Sequence, residues 1–234
     1  MTRAEFISYK KAFVGAARQV LATSRSAVLS EAAFPAYANR NPLISFLFWQ
    51  RVRKVMRHLE AGECSGNAMD FGCGGGVMLP FLGQHFQHVT ALDIDLSPFK
   101  KMAGYVKFPG NLDIFESAIR PLNSFAAGSF SAILALDVLE HVADLPGTVS
   151  DLCRLLAPKG KLLVSVPTEN FAYRIGRKIA GAEYSGDYHM RNSDQIEKCL
   201  STQLKLSRIA TLYYPMPLFE IYCGEKRDIT TLAE

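Results

Sequence analysis

Asp70-Phe71-Gly72-Cys73-Gly74-Gly75-Gly76 places one carboxylate and alternating glycines between two apolar runs, Ala68-Met69 before it and Val77-Met78-Leu79 after it. Residue types in that order suit the hand-over from a buried strand to a helix, with a small anionic or zwitterionic ligand held at the bend. Glycine turns with positive φ and puts no Cβ against a ligand, and the first N–H groups of a following helix are free donors. An ordinary glycine-rich turn reads the same way, because a short motif of this kind is weakly specific. Two ligand classes fail on spacing. A dinucleotide fingerprint needs its third glycine where this chain has Val77 in one frame and Leu79 in the other. A phosphate loop needs Gly-Lys followed by Ser or Thr, and Gly160-Lys161 is followed by Leu162.

A second acidic position lies further along. The apolar run Val89-Thr90-Ala91-Leu92 ends in Asp93-Ile94-Asp95-Leu96-Ser97, a strand with a carboxylate at its carboxyl end. Ligands of open α/β sheets lie at that end, and an acid at this distance from a glycine turn grips ribose hydroxyls. The competing reading makes Asp93 or Asp95 a helix cap; Ser97 is assigned the cap, with Pro98 in the first turn, and Asp93 the ribose.

With these residues in place, D-x-G-x-G-x-G resembles the first motif of the class I S-adenosylmethionine-dependent methyltransferases. Gly128 to Val142, containing Ser129-Phe130-Ser131 and Leu139-Glu140-His141-Val142, resembles the fourth-strand segment of their small-molecule branch. The resemblance, over roughly residues 64 to 226, implies a Rossmann-like α/β fold: a seven-stranded, mostly parallel sheet with an antiparallel last strand, plus an amino-terminal helical extension. It implies S-adenosyl-L-methionine as cofactor, held at the first motif by Asp70, Gly72, Cys73, Gly74 and Gly76. Asp93 and Ile94 follow at the ribose, Ser117 and Ala118 at the adenine, and Leu136 and Asp137 at the methionyl end or the acceptor. There are departures. The acid near the adenine has no clear counterpart, so Glu116 or Ser117 stands in; Ser131 replaces the customary Asp, and Pro158-Lys159-Gly160 replaces Pro-Gly-Gly.

Candidate catalytic groups are His141, His189 and Asp137. An imidazole can take a proton near neutral pH, while a histidine satisfied by its neighbours at a helix start is the plain alternative for His141. Glu140 reads as a helix-terminus or supporting carboxylate. A sulfonium is already activated, so the protein holds the acceptor in line with the S–CH3 bond, excludes water and accepts a proton where the acceptor is a hydroxyl. That chemistry requires no metal. O-methylation of a small-molecule, saccharide or lipid-linked acceptor is the favoured reaction; a non-catalytic binding module of the same fold and a nucleotide-dependent oxidoreductase are the alternatives.

The order of segments gives the same architecture independently. Thr148 to Leu156 carries apolar residues at helical spacing and is stopped by Pro158 and Gly160, and Lys161 to Pro167 reads as a buried fifth strand. Leu204 to Tyr214 and Leu218 to Gly224 are strands joined by a short turn and must run antiparallel. Alternating strands and helices argue for a layered α/β domain.

Composition bounds the reading. The 234 residues suffice for one domain over residues 61–234 and a helical extension or lid over residues 1–60, and 49% hydrophobic content suits a globular chain. Cysteines at 64, 73, 153, 199 and 223 are odd in number with no C-x-x-C, which indicates neither a disulfide framework nor a zinc site. His85 and His88 lack the glutamate and spacing of a zinc helix and read as surface residues. A net charge of +4 is too mild to imply nucleic acid, and a cytoplasmic location is expected, since charges break any secretory core in the first residues and no apolar run approaches a membrane span.

Two regions stay open between readings. Asn41-Pro42 starts a helix whose face of Phe48, Val52, Val55, Met56 and Leu59 opposes Arg51, Arg53, Lys54, Arg57 and His58. Those cations form a solvated side or, in the functional alternative, a collar over residues 42–59 meeting anionic lipid at a membrane periphery or a phosphate-bearing acceptor. Phe6, Lys10, Phe13, Ala17 and Leu21 give an earlier amphipathic stripe. Residues 167 to 195, with Tyr173, Tyr184, Tyr188 and His189, form either an acceptor-side loop or a packed surface loop, followed by a helix start at Asn192-Ser193-Asp194.

Overall fold

The computed structural model describes residues 1–23, 34–39, 41–62, 65–168, 192–213 and 217–227. Three helices come first: α1 (Arg3–Thr23), the single turn α2 (Phe34–Tyr37) and α3 (Pro42–Ala61). Strands and helices then alternate as β1 (Asn67–Phe71), α4 (Leu79–His85), β2 (His88–Asp93), α5 (Ser97–Ala103), β3 (Leu112–Glu116) and β4 (Phe130–Leu136). They continue as α6 (Leu145–Leu155), β5 (Leu156–Pro167), α7 (Ser193–Gln203), β6 (Leu204–Leu212) and β7 (Phe219–Lys226).

All seven strands form one sheet in the order β3-β2-β1-β4-β5-β7-β6. The ladders from β3 to β5 are parallel. β7 lies antiparallel between β5 and β6, as expected of the last strand. The chain moves outward from β1 to β3 and then returns to place β4 on the other side of β1. That reversal makes the carboxyl ends of β1 and β4 the topological switch point of the sheet, where open α/β sheets take ligands.

Both sheet faces are covered. Ala132 and Leu134 of β4 join a cluster with Phe81, Leu82, Val52 and Val55, while Ile133 and Ala135 face Val149, Leu152, Ile196 and Leu200. Burial on two sides explains why the strand is an unbroken apolar run rather than an alternating one.

Local chemistry sets several boundaries. The Asn41 side chain accepts from the Leu43 amide and Pro42 occupies the first turn of α3. Asn192 and Gln195 exchange side-chain and backbone hydrogen bonds in a capping box at the start of α7. Three local expectations are revised. Helix α6 begins earlier than Thr148, because Asp144 accepts from the Gly147 amide at 3.0 Å and Pro146 suits a first turn. Strand β5 begins at Leu156, with Lys159 at φ 61° in the tight approach and an irregular register against β4. At α5 the cap is not Ser97: Asp95 accepts from both the Ser97 amide and its hydroxyl, at 2.8 and 2.6 Å. His85 and His88 are half-buried, the first stacked on Phe81 at 4.0 Å and the second 3.0 Å from Asp113.

The amino-terminal helices lie over the carboxyl edge of the sheet. The Tyr9 hydroxyl donates to the Val77 carbonyl at 2.6 Å, and the Tyr213 hydroxyl donates to Leu47 at 2.8 Å. Phe48 meets Phe219 edge-on at 5.0 Å. Phe13, Tyr37 and Trp49 fill the interior between α1, α2 and α3.

Candidate active site

The glycine bend follows β1 directly. Gly72, Gly74 and Gly76 have φ of 80°, 52° and 79°, a left-handed backbone that glycine adopts without strain. The amides of Gly72 and Cys73 donate to the Leu92 carbonyl at 2.8 and 3.1 Å, which fastens the bend to the end of β2. The Gly74 amide donates to Asp93 Oδ2 at 2.7 Å. Two places far apart in sequence thus meet at one hydrogen bond.

Two details differ from the sequence reading. The space that a Cβ would need at Gly72 and Gly76 is taken by the protein's own side chains, Val138 at 2.6 Å and Phe108 at 2.9 Å. The first turn of α4 offers no spare donor, since Leu79, Phe81 and Leu82 donate to Gly76 and Met78 and Pro80 has no N–H. The polar character of the bend therefore comes from its own backbone and from Asp93.

Asp70 is buried at 3% exposure, and that burial, with the nearby Asp93 charge second, pushes its carboxyl up to about 7. Burial also raises Asp93, opposed by the amides of Gly74, Asp95 and Ile94 that point at its oxygens. The Cys73 thiol is pushed well up by burial, ahead of the Asp70 and Asp93 charges.

The ends of β2 and β3 lie side by side, with Asp93 opposite Glu116. The Ser117 amide donates to the Asp93 carbonyl at 2.8 Å, so Ser117 and Ala118 turn away beside the carboxylate. Ile94 is 85% exposed there, an apolar side chain left open next to a charged one. Glu116 meets Lys100 at 3.6 Å.

On the other side of β1, Leu136 ends β4 and Asp137 follows with φ 53°. Asp137 Oδ1 accepts from the Ser165 hydroxyl at 2.7 Å, and its Oδ2 is paired with Arg51 of α3. Arg51 corrects the sequence reading of the cationic side: it is 1% exposed, in the interior. Its Nη2 donates to the Tyr37 hydroxyl at 2.5 Å. The rings of Tyr37, Phe48 and Phe219 surround its guanidinium carbon at 5.8, 5.4 and 5.1 Å. His141 sits at the surface on the turn after Val138, 4.0 Å from the buried Glu140. His189, Tyr173, Tyr184 and Tyr188 lie outside the described residues.

The sequence reading missed Arg51, Tyr9, Tyr37 and Ser165. A signal existed for the first: Arg51 is three positions after Phe48 and four before Val55, on a buried stripe. Among the described residues no cluster of three or more His, Cys, Asp or Glu could hold a metal. No described helix is long and apolar enough to cross a membrane.

Comparison with known proteins agrees with this geometry. Residues 43–203 match the model of the family described as "Methyltransferase domain". The chain is 28% identical over 194 residues to a ubiquinone biosynthesis O-methyltransferase of Aromatoleum aromaticum, covering 74% of this chain and 78% of that one. Its relative of the same name in Xylella fastidiosa is 34% identical over 119 residues, about half of each chain (50% and 47%). Among solved structures, magnesium protoporphyrin IX methyltransferase from Synechocystis PCC 6803 with bound SAH matches with TM-score 0.62 at 19% identity, over 84% of this chain and 94% of that one. An arrangement of seven strands with β7 reversed, a glycine bend met by Asp93 and a family model spanning most of the sheet converge: the chain belongs to the methyltransferase-domain family and is a class I S-adenosyl-L-methionine-dependent methyltransferase.

Proposed function

We propose that the enzyme moves the methyl group to a hydroxyl oxygen of a small-molecule acceptor, and that the switch point between β1 and β4 holds the donor. The observation that carries this reading is the Gly74–Asp93 contact at the carboxyl edge. Asp70, Gly72, Cys73, Gly74 and Gly76 frame the methionyl portion; Asp93 takes the ribose hydroxyls; Ile94, Ser117 and Ala118 border the adenine; Leu136 and Asp137 bound the reacting end. His141, on the turn after β4, or His189 takes the acceptor's proton. The O-methyltransferase names of the relatives support oxygen as the target.

A finer reading concerns how the acceptor arrives. The outer sides of α1 and α3 leave Ile7, Leu43 and Phe46 at 55%, 61% and 47% exposure, and Lys54 and Arg57 are exposed further along α3. Exposed apolar side chains together with cations suit the surface of an anionic bilayer, so a lipid-linked acceptor is collected there through residues 42–59. Sedimentation with phosphatidylglycerol vesicles, set against phosphatidylcholine vesicles, tests this; equal binding to both, or to neither, rejects it.

The donor site is tested by calorimetric titration with S-adenosylhomocysteine. Asp93→Ala is expected to weaken binding by one to two powers of ten, about 1.5–3 kcal/mol for a hydrogen bond to a charged group. Unchanged affinity removes the ribose assignment.

A further inference from the structure

One feature of the switch point is not needed to hold a methyl donor. Arg51 is carried by α3, outside the sheet, yet its guanidinium ends at Asp137, on the carboxyl edge itself. Both partners are held in place. On the helix side, the guanidinium donates through Nη2 to the Tyr37 hydroxyl and lies among three aromatic rings. On the sheet side, the Ser165 hydroxyl donates to Oδ1 at 2.7 Å, and the Asp137 amide donates to the Ser165 carbonyl at 2.9 Å.

Two energetic costs coincide here. Arg51 is fully buried and Asp137 is mostly covered, and an ion pair taken out of water gives little net stability over an apolar pair of similar volume, because desolvation cancels most of its attraction. Asp137 also adopts a left-handed backbone, which Asp tolerates better than most L-residues but less readily than Gly. Strain and buried charge concentrated at one point mark a functional constraint better than a packing solution. The point adjoins the glycine bend, since Val138, the next residue, packs directly on Gly72. Helix, ion pair, β4 terminus and bend thus form one continuous line of contacts.

We propose that Arg51 and Asp137 form a latch: their ion pair fastens the helical cover over the methyl-donor site, and its opening admits the donor and releases S-adenosylhomocysteine. This rests on the methyltransferase reading above. Arg51 and Asp137 are then positioning residues, acting through the placement of α3 rather than on the reacting atoms. An ion pair suits the task because it is directional and fails as a unit when either partner is lost.

The test measures dissociation rates of S-adenosylhomocysteine and of 5′-methylthioadenosine, which lacks the amino-acid portion, from the full chain. Arg51→Met and Asp137→Asn are each expected to speed release of both ligands at least tenfold and by similar factors. The double variant is expected to be no faster than either single one, and Arg51→Lys to recover part of the wild-type rate. A loss confined to S-adenosylhomocysteine overturns the latch, since Arg51 would then bind the ligand's carboxylate directly. Additive effects in the double variant, or unchanged rates in cooperatively melting variants, overturn it as well. Should Arg51→Met fail to fold, hydrogen exchange in the wild type decides: S-adenosylhomocysteine must slow exchange across residues 42–61, and unchanged exchange rejects the latch. A wild-type protein that binds neither ligand instead rejects the methyltransferase reading on which the latch rests.

Discussion

The two halves of the carboxyl edge are built in different ways. Around β1 and β2 the parts are backbone amides and one carboxylate, supplied by a bend and the neighbouring strand end. Around β4 the parts are side chains from distant segments: Arg51 from α3 and Ser165 from β5 meet at Asp137, and Phe219 from β7 packs on the Arg51 guanidinium. A backbone-built half keeps its shape as long as the glycines stay glycines. A side-chain-built half depends on the amino-terminal helices being docked, so it is the half that can respond to what binds.

This contrast can be broken most severely at Arg51. Replacing it with Met removes the cation from Asp137, which is partly exposed and keeps only the Ser165 hydroxyl, so the cost falls below the roughly 3–5 kcal/mol of a fully buried pair, at about 2 kcal/mol. Urea denaturation should show that loss, and a simultaneous Asp137→Asn change should recover much of it, because Asn suits the left-handed backbone, can accept from Ser165 and carries no unpaired charge.

At the other half the sensitive group is Asp70, whose carboxyl is raised to about 7 by burial and then by Asp93. A carboxyl that binds its proton more tightly when folded adds stability that is complete below the unfolded value near 4 and is lost as pH rises through about 7. The amplitude is on the order of 4 kcal/mol. The urea midpoint of the wild type should fall between pH 4 and 8, and Asp70→Asn should flatten that fall and exceed the wild type at pH 8. An unchanged slope in the variant would assign the pH dependence elsewhere.

Gly72→Ala probes the junction of the halves. The left-handed backbone alone costs an L-residue about 1–2 kcal/mol, and Val138 must also move from 2.6 Å. Stability and S-adenosylhomocysteine affinity should fall together, since the same bend carries both. The mildest change is Ser165→Ala, which removes one hydrogen bond from Asp137 while Arg51 remains. A loss of about 1 kcal/mol is expected by thermal or urea denaturation, with ligand release left near the wild-type rate; fast release would mean that Ser165 also holds the latch.

Much of the fold was legible because its signals are local. The run Ala132-Ile133-Leu134-Ala135 announces a strand buried on both faces, and Asn192 with Gln195 announces a helix start. The antiparallel β7 followed from two apolar runs too close for a crossover. Local chemistry also produced the misses: the cap position of α5 falls on Leu96, and Ser97, one residue inside, donates its amide and hydroxyl to Asp95 instead of capping. Lys159 hides a left-handed turn that a glycine would have advertised.

By itself the sequence determined the alternation of strands and helices, the glycine bend and the acid at the end of β2, since each arises from residues that are neighbours or lie in one βαβ unit. The tertiary structure alone decided that Arg51, alike in type to the exposed Lys54 and Arg57 on the same helix, is buried against Asp137. Charge and periodicity describe which side of a helix a residue occupies. Which side is covered, and by what, depends on a docking contact between segments far apart in the chain, where a buried cation persists only because a carboxylate and aromatic rings are waiting for it.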